Sequence, residues 1–350
     1  MRVAFSLFVL LASFVLGSAQ TPRTLEKINV SGTECVRLLE WCDANGLKLL
    51  WTKKDEDLRA TNRFHKLYFS VDSRKTEIDG VIVLLSSPIF TRNGVPLVST
   101  IDLQTAIHPL VYPQQLPKNR IQTICIDAGH GGKDTGKIDP NGRDKKFEKT
   151  YTLLLADEVA DILEKQKFKV VMVRSRDKTV DLSERAEVAN RAKADLFVCL
   201  HFNSAGDRGV RGLETFCMSP AGMESSNAGG GRANVGTYDG NVKNSENMVL
   251  AYQVQKSILK NVGMEDRGVK RARFEVLRDA KMPAILVEGG FMSNPSEAKK
   301  IYDPAWRKRM AQAVVDGILA YKKMVHPEDQ LVAQKPIPAE KDAKKKTARD

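Results

Sequence analysis

The chain has 350 residues, of which 42% are hydrophobic and 28% charged, a usage that excludes a wholly disordered or fibrous protein and supplies ample apolar material for a core. Lys and Arg number 55 against 43 Asp and Glu, a formal charge of +12 that favours anionic surroundings without choosing among nucleic acid, anionic lipid and an acidic wall polymer.

Residues 1–19 read as a signal peptide. Met1-Arg2 is a short positive start, Ala4 to Leu16 is an uncharged apolar run, and Gly17-Ser18-Ala19 supplies the small residues a signal peptidase requires. An uncleaved anchor is the alternative, but the run is shorter than the roughly 20 residues a spanning helix needs. The expectation is an exported protein of the periplasm or cell envelope, with no stable membrane insertion and no nucleic-acid partner.

Residues 20–118 carry short strand-like runs and one helix, expected over Cys35 to Asn45 and stopped by Gly46. Leu47 to Trp51, Leu67 to Val71 and Val81 to Leu85 read as strands, and Ile89 to Val98 as a hairpin turning at Asn93-Gly94. No histidines, cysteines or acids converge here, so the segment reads as a small β-rich accessory domain for binding or scaffolding. Pro109, Pro113 and Pro117 are expected to hold an extended linker.

Residues 119–325 follow a different grammar. Strand Ile124 to Asp127, helix Glu148 to Lys165, strand Lys169 to Val173, helix Leu182 to Lys193, strand Leu196 to His201 and strand Gly212 to Met218 come in turn. A helix near Asn247 to Lys260, strand Ala284 to Glu288 and a helix near Trp306 to Lys323 complete the domain. Strands alternating with helices imply an α/β fold with a mostly parallel sheet flanked by helices. Residues 326–350, rich in Pro, Lys, Ala and Asp, are expected to be a disordered tail. The five cysteines lack a framework spacing; Cys35 and Cys42 fall two turns apart on the expected helix, and Cys125, Cys199 and Cys217 in apolar strands, so no essential disulfide is expected.

Two of the five histidines occupy matching places: His130 follows the strand Ile124 to Asp127, and His201 closes the strand Leu196 to Leu200. Ligands of open α/β sheets bind at the carboxyl ends of strands, where two imidazoles can meet on one metal, although either alone can simply finish a strand. Glu148 opens a helix, as a ligand or as a favourable anion at a helix N-terminus. Glu288 closes an apolar strand before Gly289-Gly290, a costly place for a carboxylate unless it is paired or used. Two histidines, one carboxylate and an open position suit a catalytic zinc, with a further carboxylate as general base.

The string Asp127-Ala128-Gly129-His130-Gly131-Gly132-Lys133-Asp134, the pair Glu148-Lys149, Asp181-Leu182-Ser183-Glu184-Arg185, Leu200-His201-Phe202-Asn203 and the run Met282 to Asn294 together resemble the zinc-dependent N-acetylmuramoyl-L-alanine amidases of bacterial walls, over roughly Ile121 to Lys323. The resemblance implies a zinc hydrolase acting on peptidoglycan, with His130, Glu148 and His201 as zinc ligands and Glu288 as the catalytic glutamate. Asp127 is then either a partner of a ligating imidazole or a turn-stabilising aspartate, and Asn203 a candidate for hydrogen bonding to substrate. The first domain has a faint likeness to the copper-amine-oxidase N-terminal-like domain and is expected to contact wall or protein. A zinc exopeptidase or carboxypeptidase, and a wall-binding protein without activity, are the competing readings. The segment Ser219 to Asn244 contains Ala228-Gly229-Gly230-Gly231 and no apolar stripe, and is expected to be a mobile loop rather than a helix plugging the site.

Overall fold

A computed structural model describes residues 25–115, 121–139, 145–226 and 235–326. The expected signal peptide, the tail beyond His326, Pro117 and the glycine run 229–231 lie outside the described residues.

The N-terminal part begins with β1 (Ile28–Val30), β2 (Thr33–Arg37) and α1 (Leu38–Ala44). The helix expected from Cys35 starts three residues later, because Cys35 to Arg37 pair with Leu97 to Ser99 and sheet pairing overrides the helical spacing. Cys35 and Cys42 therefore do not share a helix face; all five cysteines are buried and unbridged. A meander follows: β3 (Lys48–Lys53), β4 (Asp57–Thr61), β5 (Lys66–Ser70), β6 (Lys75–Ile78) and β7 (Val81–Leu84). The hairpin β8 (Phe90–Arg92) and β9 (Val95–Ser99) turns at Asn93-Gly94, both with positive φ, as a tight hairpin requires.

The extended linker does not form at its first proline. Thr100 to Val111 is helical: α2 (Thr100–Asp102), a π turn (Leu103–Ile107) and α3 (His108–Val111). Pro109 follows the π turn inside this run, a break in the regular ladder where a missing N–H is tolerated, and Leu103, Ala106, Ile107, Leu110 and Val111 are buried.

The remaining elements are β10 (Thr123–Ala128), α4 (Glu148–Lys165), β11 (Lys169–Met172), α5 (Leu182–Arg191), β12 (Leu196–Asn203), β13 (Leu213–Cys217), α6 (Asn244–Val262), β14 (Asp266–Arg271), α7 (Glu275–Arg278), β15 (Ala284–Phe291), α8 (Pro295–Tyr302) and α9 (Pro304–Val325). β11, β10, β12 and β15 are parallel neighbours, as expected of an α/β domain, and β13 then pairs antiparallel with β15 and parallel with β14. The central strands Ile124 to Ile126 and Leu196 to Leu200 are buried on both faces, which explains their unbroken apolar runs. Helices α4, α6 and α9 cover one face and α5 and α7 the other.

The β-rich N-terminal unit is present, but it continues the sheet of the α/β part instead of hanging from it. β7 pairs parallel with β14 at Val83 and Val269, so the described strands form one sheet in the order β11-β10-β12-β15-β13-β14-β7-β6-β5-β4-β3, beside a smaller sheet β1-β2-β9-β8. One apolar core runs without a break from Leu58, Phe69 and Val83 to Leu250, Val254 and Val314.

Candidate metal and catalytic site

The carboxyl ends of β10, β12 and β15 converge on one pocket. Its cavity of about 270 Å³ is lined by His130, Glu148, His201 and Glu288, together with Phe274 and Val276.

His130 sits in the turn that leaves β10, with φ +62°, followed by Gly131 at +130° and Gly132 at +60°. A non-glycine residue in this left-handed region costs roughly 1–2 kcal/mol and must be held by its surroundings. Two buried arginines hold it. Arg174 donates from Nε to the Ala128 carbonyl (2.8 Å) and from Nη2 to those of Gly129 (2.9 Å) and Lys149 (2.8 Å). Arg185 donates to the Asp127 carboxylate (2.8 Å) and to the His130 carbonyl (2.8 Å). Arg174 was not singled out by the sequence, where it reads as one more polar residue after a strand.

Glu148 is the first residue of α4, and its carboxylate is buried among four hydrogen bonds. Oε1 meets His201 Nδ1 (2.9 Å) and accepts from the Phe202 N–H (3.1 Å); Oε2 meets His130 Nε2 (3.0 Å) and accepts from the Lys137 N–H (2.9 Å). Burial by itself would raise its pKa, but the bonds and charges of the two imidazoles prevail and hold it well below the usual carboxylate range. The imidazole centroids lie 4.7 Å apart, and one donor atom from each of His130, Glu148 and His201 falls within 4.8 Å of the others. Gly136 permits this crowding: a Cβ there would lie 2.6 Å from His130 Cδ2 and 2.7 Å from Glu148 Oε2.

The outer nitrogen of His130, Nδ1, pairs with Asp134 Oδ2 at 2.8 Å. Asp127 is not that partner: it is fully buried, bonded to Arg185 and receiving the Cys199 thiol at 3.1 Å, so it secures the strand end behind the site. With a carboxylate on each side, the His130 pKa rises above its ordinary value although burial opposes the rise.

Glu288 lies inside β15 rather than at its end, in register with His201 on β12 and with Glu214 on β13. Its Oε2 is shielded from solvent and has no hydrogen-bond partner among the described residues. Burial, then the charges of Glu148 and Glu214, push its pKa well above the ordinary glutamate value. Asn203 lines the pocket, but its Nδ2 donates to Glu214 Oε1 (2.7 Å) and its Oδ1 accepts from the Ser204 N–H (2.8 Å). Glu214 is further held by Arg267 Nε (2.9 Å) and Lys270 Nζ. This network was not legible in the sequence, because its members are scattered over three strands.

The described parts of the segment 219–244 are anchored rather than free. The Ser226 N–H donates to the Arg271 carbonyl (2.6 Å), the Arg273 N–H to Ser225 Oγ (3.0 Å), and Arg273 Nη2 to the Pro220 carbonyl (2.5 Å); Asp239 to Lys243 form a short 3₁₀ turn.

The N-acetylmuramoyl-L-alanine amidase family profile, Amidase_3, matches residues 124–320. The chain is 34% identical over 200 residues to N-acetylmuramoyl-L-alanine amidase LytC of Bacillus subtilis, a match covering 57% of this chain and 35% of that protein. It thus spans about a third of the length of that relative. It is 35% identical over 200 residues to YqiI of the same organism, an uncharacterized protein of which 84% is covered. The crystal structure of an N-acetylmuramoyl-L-alanine amidase from Clostridium difficile 630 is 34% identical, with a TM-score of 0.49, over 58% of this chain and 97% of that one.

Proposed function

From the premise that this chain belongs to the N-acetylmuramoyl-L-alanine amidase family, we propose that it hydrolyses the amide joining the lactyl group of N-acetylmuramic acid to L-alanine in peptidoglycan. The observation that carries the reading is the meeting of His130, Glu148, His201 and Glu288 in one pocket.

The donor set suits zinc. Two imidazole nitrogens and one carboxylate are a three-ligand catalytic complement, and Glu148 keeps the negative charge a cation would pair with. His130, Glu148 and His201 would hold the ion. Zinc in such a site supplies Lewis acidity and makes water acidic enough to react near neutral pH. Asp134 orients His130 through Nδ1, leaving Nε2 directed at the site. Glu288 takes a proton from the attacking water at its unpartnered Oε2 and returns it to the leaving amine of L-alanine. Its burial beside the charges of Glu148 and Glu214 favours the protonated form, which suits the donor half of the reaction.

A carboxypeptidase would be expected to carry an arginine gripping a substrate carboxylate. Arg185 lines the pocket, but both its terminal nitrogens are committed to Asp127, Ala128 and His130. An inactive wall-binding protein would not need all four side chains. Export to the cell envelope, through a signal peptide over residues 1–19, accords with a substrate outside the membrane; no helix among the described residues is long and apolar enough to cross one.

The test is digestion of purified peptidoglycan followed by identification of the new ends. The expected products are muramic acid with a free lactyl carboxyl and stem peptides with a free L-alanine amine. Release of C-terminal residues instead would favour the carboxypeptidase, and no new ends at all the binding protein.

A further inference from the structure

The pocket has two sides of different origin. Its metal-binding and proton-transfer groups come from β10, α4, β12 and β15, none of which pairs with the N-terminal part. Part of its lining, Phe274 to Val276, is the chain that leaves β14, and β14 is the strand on which the N-terminal part docks.

Arg271 is the last residue of β14 and is 2% exposed. Its side chain reaches out of the catalytic domain. Nη1 donates to Ser86 Oγ (3.1 Å) and Nη2 to the Thr105 carbonyl (2.9 Å), and Nη1 lies 3.9 Å from Asp102 Oδ1. Asp102 is itself fully buried and fixed by the N–H groups of Ser86 (2.7 Å) and Ser87 (2.9 Å) and the Ser99 hydroxyl (2.7 Å). The backbone of Arg271 is bonded on both sides to Ser226, whose N–H meets its carbonyl and whose Oγ accepts from its N–H at 3.1 Å. Only Ala272 and Arg273 separate it from Phe274, and the Ala272 N–H is tied to the Cys217 carbonyl at 2.9 Å. Separated from the wall by two residues, Arg271 is thus held through its side chain by the N-terminal part and through its backbone by Ser226 and β13.

We propose that Arg271 is a positioning residue that registers the substrate wall Phe274 to Val276 against the N-terminal part, making that part a component of the substrate pocket. This rests on the amidase reading above. An apolar side chain would pack here without desolvating a guanidinium, so the hydrogen-bonded charge supplies a defined register rather than bulk. The groups that perform the chemistry stand on other strands; the consequence of losing that register is weaker grip on the muramyl-peptide with the chemical step intact.

The experiment compares the full chain with R271M and S86A on purified peptidoglycan and on a soluble muramyl-pentapeptide, with zinc content and amide hydrogen exchange over 272–277. R271M is expected to raise KM about tenfold on both substrates, to leave kcat within about twofold and zinc content unchanged, and to speed exchange in 272–277. S86A, which removes one bond and no charge, is expected to raise KM about two- to threefold in the same pattern. A fall in kcat with KM unchanged, or loss of zinc, overturns the proposal and makes Arg271 a general support of the fold. If R271M does not fold, S86A decides, and an unaltered KM in it overturns the proposal. Absence of amide cleavage by the unaltered chain would instead sink the amidase reading.

Discussion

Gly129 and His201 compete for the same space: a Cβ on Gly129 would overlap the His201 imidazole, lying 2.7 Å from Nδ1 and nearer still to Cε1 and Nε2. The two residues come from neighbouring parallel strands, and the Gly129 N–H donates to the Leu200 carbonyl at 3.0 Å, so neither backbone can retreat. Gly129→Ala should therefore displace the His201 ring. The expected outcome is zinc stoichiometry well below one per chain and loss of wall hydrolysis, while circular dichroism stays native. Full zinc occupancy in G129A would show that His201 is not held where the carbonyl-tied strand places it.

The two glutamates should separate by function. Glu288→Gln keeps size but cannot take the proton, and should retain zinc while lowering turnover by about 10² to 10⁴-fold. Glu148→Gln should instead weaken zinc binding, as His130→Ala and His201→Ala should, because it removes the charge on which both imidazoles converge. Equilibrium dialysis against a competing chelator distinguishes the two classes; the reverse pattern would exchange the roles.

Arg174 should matter for stability and metal affinity together. It donates to the carbonyls of Ala128, Gly129 and Lys149 from a buried position, and in Arg174→Met each would keep its bond to Arg185 or Thr152. A hydrogen bond to a charged group contributes about 1.5–3 kcal/mol, so a loss of that order is expected in urea unfolding. The loop it releases carries His130 in its strained conformation, so zinc affinity should fall in parallel. Unchanged affinity at lowered stability would separate the arginine from the site.

The glycine-rich stretch after β13 should not inhibit the enzyme. Its flanks are anchored at Ser225, Ser226 and the Asp239 to Lys243 turn, and its Ala228 to Gly231 composition disfavours a helix by about 1 kcal/mol per glycine. The purified protein is expected to cleave wall without an activator, and replacing residues 227–234 by a short Gly-Ser link should leave the rate on a soluble muramyl-peptide unchanged. A large gain of activity would mean that the stretch had been blocking the pocket.

What the sequence determined by itself was the part of the molecule written in local pattern. The apolar runs Ile124 to Asp127, Leu196 to His201 and Ala284 to Glu288 read as interior strands, and the spacing of Leu155, Val159 and Leu163 as the inner stripe of a helix, so the α/β order followed. The four candidate site residues were legible too, because strand ends and helix starts are local features and a family motif surrounds each. Relations between distant segments were decided by tertiary structure alone. β14 (DRGVKR) carries no apolar alternation, and it becomes a strand only because β13 and β7 flank it. Cys35 was drawn from a helical pattern into β2, and Pro109 from a linker into a helix, each by partners more than 50 residues away or by burial against α6. The same holds around the site: the engagement of Asp127 by Arg185 instead of by His130, and the reach of Arg271 into the N-terminal part, depend on distant segments that the fold brings within hydrogen-bonding distance.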